Sequence, residues 1–330
     1  MRAAARSLLL ALIVAPLLLG CSVRKLAVRT LAKAMASGTD VYATDDDPEL
    51  VAASLPFALK TLEGLLAQDP GNRNLLLATS KGFTQYAYAF VQLPAERLTD
   101  DDYSRSEQLQ QRAVKLFLRA RDYALRGLAT THPGIDERLR RDPAAAAAEL
   151  TRDDLPLAYW TAAAWGSAIS AGKDRPELLA DLGAVRALLE RGLALDEGWE
   201  HGALHQAMLS VEASTPAAAG GSPARVEQHY QRAAALAGGH DAGLFVSYAQ
   251  AMAVPARDRA AFESLLEQAL AVGLDAAPEL RLANTLAQQK ARWLLDHADD
   301  YFSSDEEESE PESSPAPTSE PTPTPNGEIP

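Results

Sequence analysis

The segment FALKTLEGLLAQDPGNRNLLLATSKGF, Phe57 to Phe83, holds the fold in miniature. Leu59, Leu62, Leu65 and Leu66 recur at helical spacing, which makes one side of the first half apolar. The run breaks at Asp69-Pro70-Gly71-Asn72, a cluster of turn formers, and a second helical pattern follows. Two amphipathic helices joined by so short a turn must lie against each other as a hairpin.

The same grammar returns further along the chain. Val185 to Met208 turns at Asp196-Glu197-Gly198, Val226 to Met252 turns at Gly238-Gly239-His240-Asp241, and Phe262 to Gln289 turns around Gly273-Leu274-Asp275. Another helix closes at His132-Pro133-Gly134. The later turns recur at roughly 35 to 40 residues, close to the tetratricopeptide period of about 34. Gly192-Leu193-Ala194-Leu195-Asp196 approximates the close of that repeat's second helix. The earlier turns lie about 60 residues apart, a distance that calls for inserted helices or irregular repeats.

Start signals agree with this. Asp47-Pro48-Glu49 places a capping carboxylate before a helix-opening proline; Asp174-Arg175-Pro176-Glu177 repeats that start signal, Ala277-Pro278-Glu279 opens a third such helix, and Asp100-Asp101-Asp102 caps a helix near Tyr103. Runs of strict β-type alternation are absent. The expectation is an all-α, irregular, tetratricopeptide-like stack of hairpins with one concave face.

Both ends of the chain read differently. Arg2 and Arg6 precede an apolar run from Leu8 to Leu19, then Gly20 and Cys21, the sole cysteine. The run is shorter than the roughly 20 residues that span a bilayer as a helix. A cleaved signal, residues 1–20, with a lipid-modified Cys21 as the new N-terminus is therefore expected, over an uncleaved anchor or ordinary secretion. With that thiol acylated no disulfide can form, and stability rests on packing. Residues 21–302 form the helical domain, and residues 303–330 turn to Ser, Glu, Pro and Thr and read as a disordered acidic tail. Thr215 to Pro223 (TPAAAGGSP) reads as a flexible connection between helices.

The formal charge of the chain is −14, which disfavours nucleic acid as a partner, because phosphate binding needs a basic footprint. No Gly-Lys-Ser/Thr loop, Gly-x-Ser-x-Gly elbow or His-Glu-x-x-His helix is present. His201 and His205, at i and i+4, would share a helical face beside Glu200, but two ligands are too few for a metal unless His229, His240 and Asp241 join them. No catalytic residue, metal or cofactor is expected.

Aromatic residues make up only 6% of the chain, so their clustering carries information. Phe83, Tyr86 and Phe90 share one helical face with Gln85 and Tyr88 beside it; Tyr159, Trp160 and Trp165 form a second group before Gly166. Large rings with polar tips among alanines suit the wall of a groove or channel, and equally an ordinary hairpin core.

At these residues the chain resembles the TatT family, tetratricopeptide lipoproteins associated with TRAP transporters. The pieces that carry the likeness are DDDPELV (Asp45–Val51), PFALK (Pro56–Lys60), GFTQYAYAFV (Gly82–Val91), RARDYALRGL (Arg119–Leu128) and LPLAYWTAAAWG (Leu155–Gly166). The likeness runs from Cys21 to about Leu295 and stops at the acidic tail. It implies a helical, trimeric, periplasm-facing protein whose partner is a DctP-type solute-binding protein of a tripartite transporter. It also implies a pore through each protomer for a small hydrophobic organic ligand. Phe83, Gln85, Tyr86, Tyr88, Phe90, Tyr159, Trp160 and Trp165 are the matching candidates for that path. A non-enzymatic, lipid-anchored adaptor is thus the leading reading, and a general envelope scaffold without a small ligand is the alternative. Ser22, where an inner-membrane retention signal would place aspartate, favours the outer membrane.

Overall fold

The computed structural model describes Thr30, residues 40–98 and residues 102–302. The signal segment, Cys21 and the acidic tail lie outside these residues. Those described form an all-α stack of helical hairpins.

The first hairpin follows from its caps. The Asp47 side chain accepts the Leu50 N–H at 3.0 Å and opens α1 (Pro48–Leu66), which buries Val51, Leu55, Leu59, Leu62 and Leu66 on one stripe. Asn72 accepts the Leu75 N–H and opens α2 (Arg73–Ala87). Gly82 is where the two helices touch: a Cβ there would stand 2.7 Å from the Leu59 methyl. A π-helical turn, Tyr88–Gln92, leads into α3 (Leu93–Arg97). Asp102 caps α4 (Tyr103–Ala129), a long helix packed on both α2 and the later α7.

Short helices α5 (Ile135–Arg141) and α6 (Pro143–Ala148) precede α7 (Leu155–Ala171) and account for the wide early spacing of turns. After them come α8 (Pro176–Leu179), α9 (Leu182–Leu195), α10 (Ala203–Ser214), α11 (Pro223–Ala237) and α12 (Ala242–Tyr248). A second π turn, Ala249–Ala253, is followed by α13 (Arg259–Ala271), α14 (Arg281–Asp296) and α15 (Ala298–Phe302). The start signal at Pro176 opens only one turn of helix, because the chain bends at Ala180-Asp181 and restarts as α9.

The Thr215–Pro223 connection is tighter than its composition suggests. It contains a 3-10 turn, and Gly221 packs so closely that a Cβ would fall 1.8 Å from the Thr215 carbonyl oxygen. Arg225 reaches back to both Glu212 and the Gly220 carbonyl.

The largest core lies between α4, α7, α9 and α10, around Trp165, Leu157, Ile135, Leu188, Leu204 and Met208. A second core gathers around Phe262 between α12, α13, α14 and α15. Asp154 ties the first core to α2: its buried carboxylate accepts from Arg73, from the Thr151 N–H and hydroxyl, and pairs with His132 at 3.0 Å.

The stack does not stay open. The Leu282 N–H of α14 donates to the Ala43 carbonyl at 3.0 Å, Arg281 donates to the Thr44 carbonyl at 3.3 Å, and Lys290 pairs with Glu96 at 3.1 Å. Last and first hairpins thereby meet, and the helices surround a hollow.

Candidate functional site

Three helices line this hollow: α2 through Lys81 and Gln85, α12 through Gly243 and Val246, and α14 through Leu282, Leu286 and Lys290; α12 and α14 pack on each other. At the upper end Asn284 of α14 holds the start of α12, accepting the Ala242 N–H and donating to the His240 carbonyl. At the lower end, Leu93, Gln250 and Lys290 converge. With α7 and the turn Trp199–Gly202 they line a partly open cavity of about 360 Å³.

The wall is largely aromatic and aliphatic. Tyr159 stands edge-on to Trp160 at 5.2 Å between ring centres and tilted against Trp199 at 4.5 Å. Tyr42, Tyr88, Phe90, Leu282 and Leu286 continue the lining. Leu93, Gln250 and Lys290 form a partition, since the same three residues also wall a second cavity with Glu96, Arg97, Trp293, Asp300 and Tyr301.

Five of the eight aromatic-cluster candidates stand on this wall: Gln85, Tyr88, Phe90, Tyr159 and Trp160. The other three do not. Phe83 is buried between α1 and α4, stacked on Tyr123 with its ring centre 6.0 Å away. Tyr86 packs on the α2–α4 side, its hydroxyl accepting from Arg112 at 3.3 Å. Trp165 is fully buried, with the Arg121 and Arg140 guanidinium groups each 5.1 Å from its ring centre. On α2 the cavity face is Lys81, Gln85, Tyr88 and Ala89; the i, i+3, i+7 face of Phe83 and Tyr86 turns into the hairpin core.

Both π turns touch the cavity, through Tyr88, Ala89 and Phe90 in one and Gln250 in the other. In the first, the Leu93 N–H reaches the Tyr88 carbonyl five residues back; in the second, the Val254 N–H reaches Ala249 at 3.3 Å. A proline lies two places beyond each, Pro94 and Pro255. Proline lacks the donor that the α register needs and crowds the carbonyl four residues back, which favours the wider turn. Such turns recur at functional sites. The matched Leu93-Pro94 and Val254-Pro255 pairs were the readable signal for them.

His201 and His205 do not share a helical face. Glu200 (φ 46°), His201 (φ 55°) and Gly202 (φ 93°) are all left-handed, so α10 begins only at Ala203. This costly backbone turns Trp199, Glu200 and His201 to the cavity. His201 pairs with Glu279 at 3.7 Å, whereas His205 is buried between Glu197 (3.0 Å) and His229 (2.8 Å). Burial, and then the neighbouring His205, holds the His229 imidazole below its ordinary pKa. No cluster suited to holding a metal occurs among the described residues.

Charge is divided between the two ends. At the upper end Lys81 pairs with Asp40 at 2.8 Å and lies 6.0 Å from the Trp160 ring centre, beside Glu200, Asp241 and the His201–Glu279 pair. Burial pushes the Asp241 carboxyl up, against the N–H groups of Leu244 and Gly243. Burial also lifts the Tyr159 phenol well above its ordinary range, with the charges of Glu200 and Asp241 adding to it. At the lower end stands Lys290, its side chain 14% exposed. Burial pulls the pKa of its ammonium down; Tyr88 and Glu96 outweigh that and hold it above the ordinary lysine value. Its signal was legible too: Ala283, Leu286, Ala287 and Lys290 follow one helical stripe, and a lysine interrupts the apolar period.

The described residues form a stack of helical hairpins closed around a largely aromatic and aliphatic cavity, an α-helical scaffold with room for a small apolar molecule. Residues 44–302 match the family described as TRAP transporter T-component, TAtT. The chain belongs to that family. It is also 31% identical over 305 residues, 86% of this chain and 93% of the other, to a protein of Treponema pallidum (strain Nichols) that carries the description "Uncharacterized protein". Membership associates the chain with a TRAP transporter and assigns it a transport role.

Proposed function

We propose that this T-component is anchored to the envelope through a lipid on Cys21, faces the periplasm, and docks a DctP-type solute-binding protein. In this reading it passes a small hydrophobic organic ligand through the aromatic cavity, makes and breaks no bond, and works as a homotrimer in the outer membrane. The observation that supports it most is the aromatic cavity wall of Tyr88, Tyr159, Trp160 and Trp199, a surface suited to an apolar solute. The anchor itself is read from the apolar run Leu8–Leu19 and the Cys21 that follows it.

The test is crosslinking in intact cells followed by solubilisation and affinity capture of the full chain. A solute-binding protein should be recovered with the wild type. Loss of the lipid in Cys21→Ser should move the protein into the soluble fraction. Capture of envelope-assembly proteins without any solute-binding protein would replace this reading with the scaffold.

A further inference from the structure

We infer that the cavity has a polar address at its lower end: Lys290, with Leu93 and Gln250, binds the anionic head of an amphiphilic carboxylate whose apolar body lies along the aromatic wall. This rests on the cavity being a ligand site, and it names the class of ligand.

The argument begins with where the charge lies. Lys290 is a lysine on the apolar stripe of α14, mostly withdrawn from water, in the wall shared by both cavities. A buried ammonium is costly to keep unless a charge compensates it. Glu96 compensates it from α3, across the closed ring. Glu96 is itself positioned by Gln92, whose amide N–H₂ donates to it at 3.0 Å, and the Gln92 carbonyl oxygen is buried with no partner. An ammonium has three N–H donors, so a second carboxylate can be taken up beside or in place of Glu96.

Orientation follows from the opposite end. Glu200, Asp241 and Glu279 crowd the upper rim, and Glu279 precedes the first residue of α14. Lys290 lies nine residues into that helix, about 14 Å of rise away. The upper rim also holds Lys81, which Asp40 pairs at 2.8 Å, and His201, which Glu279 pairs, so Glu200 and Asp241 stand there in excess. The lower partition is a balanced Lys290–Glu96 pair; an anionic head is therefore disfavoured above and meets an ammonium below. Between them lie Phe90, Leu286 and Ala287, whose side chains offer an alkyl or aryl body no hydrogen bond to satisfy. Because the partition borders the second cavity, a head seated on Lys290 stands at the wall that the two share.

Three probes with the same carbon chain separate the possibilities: octanoate, octanol and octylamine, titrated at neutral pH against the full chain with Trp fluorescence and calorimetry. Octanoate is expected to bind about tenfold or more tighter than octanol, the scale of one charge-assisted hydrogen bond net of desolvation. Lys290→Met combined with Glu96→Gln should erase that preference and keep octanol binding within a few-fold. Glu96→Gln alone should tighten octanoate, because the ammonium no longer holds its own carboxylate; a merely structural role for the pair would not produce this sign. Octylamine binding best, or an octanoate preference that survives in the folded double variant, overturns the inference. Octanol binding with no octanoate preference overturns it and leaves the ligand role standing. Binding of none of the three overturns both.

Discussion

Trp160 and Trp165 sit five residues apart on α7, yet they occupy opposite kinds of environment. Trp165 has no exposed surface and fills the main core between two arginines. Trp160 stands on the cavity wall, its ring edge-on to Tyr159 and facing Lys81. Helix α7 is apolar nearly all round, because one side meets the core and the other meets a hollow. A cavity wall and a core wall are written in the same residues. What separates them is whether another helix arrives opposite.

The comparison can be broken directly. Trp165→Ala should cost about 3–5 kcal/mol in chemical denaturation, the range for deleting a large core ring. Trp160→Ala should cost clearly less, about 1–2 kcal/mol from its ring contacts and part of its burial, while weakening capture of an apolar probe. Equal losses at both positions would mean that the hollow is packed in solution.

Asp154 offers the next largest effect, because it joins the core side of the molecule to α2. Burial raises its carboxyl, but the Thr151 N–H, His132, the Thr151 hydroxyl and Arg73 together hold it far below the usual range. A carboxyl depressed in the folded state stabilises fully above its unfolded value near 4, and that stability is lost as pH falls towards the folded value. Asp154→Asn should cost about 2–3 kcal/mol at neutral pH and flatten the acid limb of the stability curve. An unchanged acid limb would assign acid sensitivity to other carboxylates.

The smallest effect belongs to the cavity side. His201→Gly removes a side chain from a left-handed position and should raise stability by about 0.5–1 kcal/mol, net of the freedom glycine adds to the unfolded chain. Thermal melts read it. A loss instead would mean that the His201–Glu279 pair outweighs the strain.

Much of the fold was legible locally. Asp47, Asn72, Asp102 and Asp241 cap helices with their own side chains, and the turns at residues 69–72 and 238–241 fall where composition puts them. The cavity was legible only in part. Gln85 and Tyr88 line it and Phe83 and Tyr86 do not, because the assignment of faces on α2 depends on how α1 and α4 pack against it. Trp199 stands on the wall because residues 200–202 run left-handed, and helical periodicity at His201 and His205 hides that break. Lys290 meets Glu96 across 194 residues, a distance no local pattern reports.

The hydrogen bond from Leu282 to Ala43 carries a consequence for how such a protein can evolve. Open solenoids lengthen by duplicating a unit, since each new copy needs only a neighbour. Here the final hairpin must land on the initial one, so an extra unit would prise the seam apart and a missing one would leave it unreachable. Diversification in this architecture is therefore confined to substitutions along the inner lining and to appendages beyond the seam.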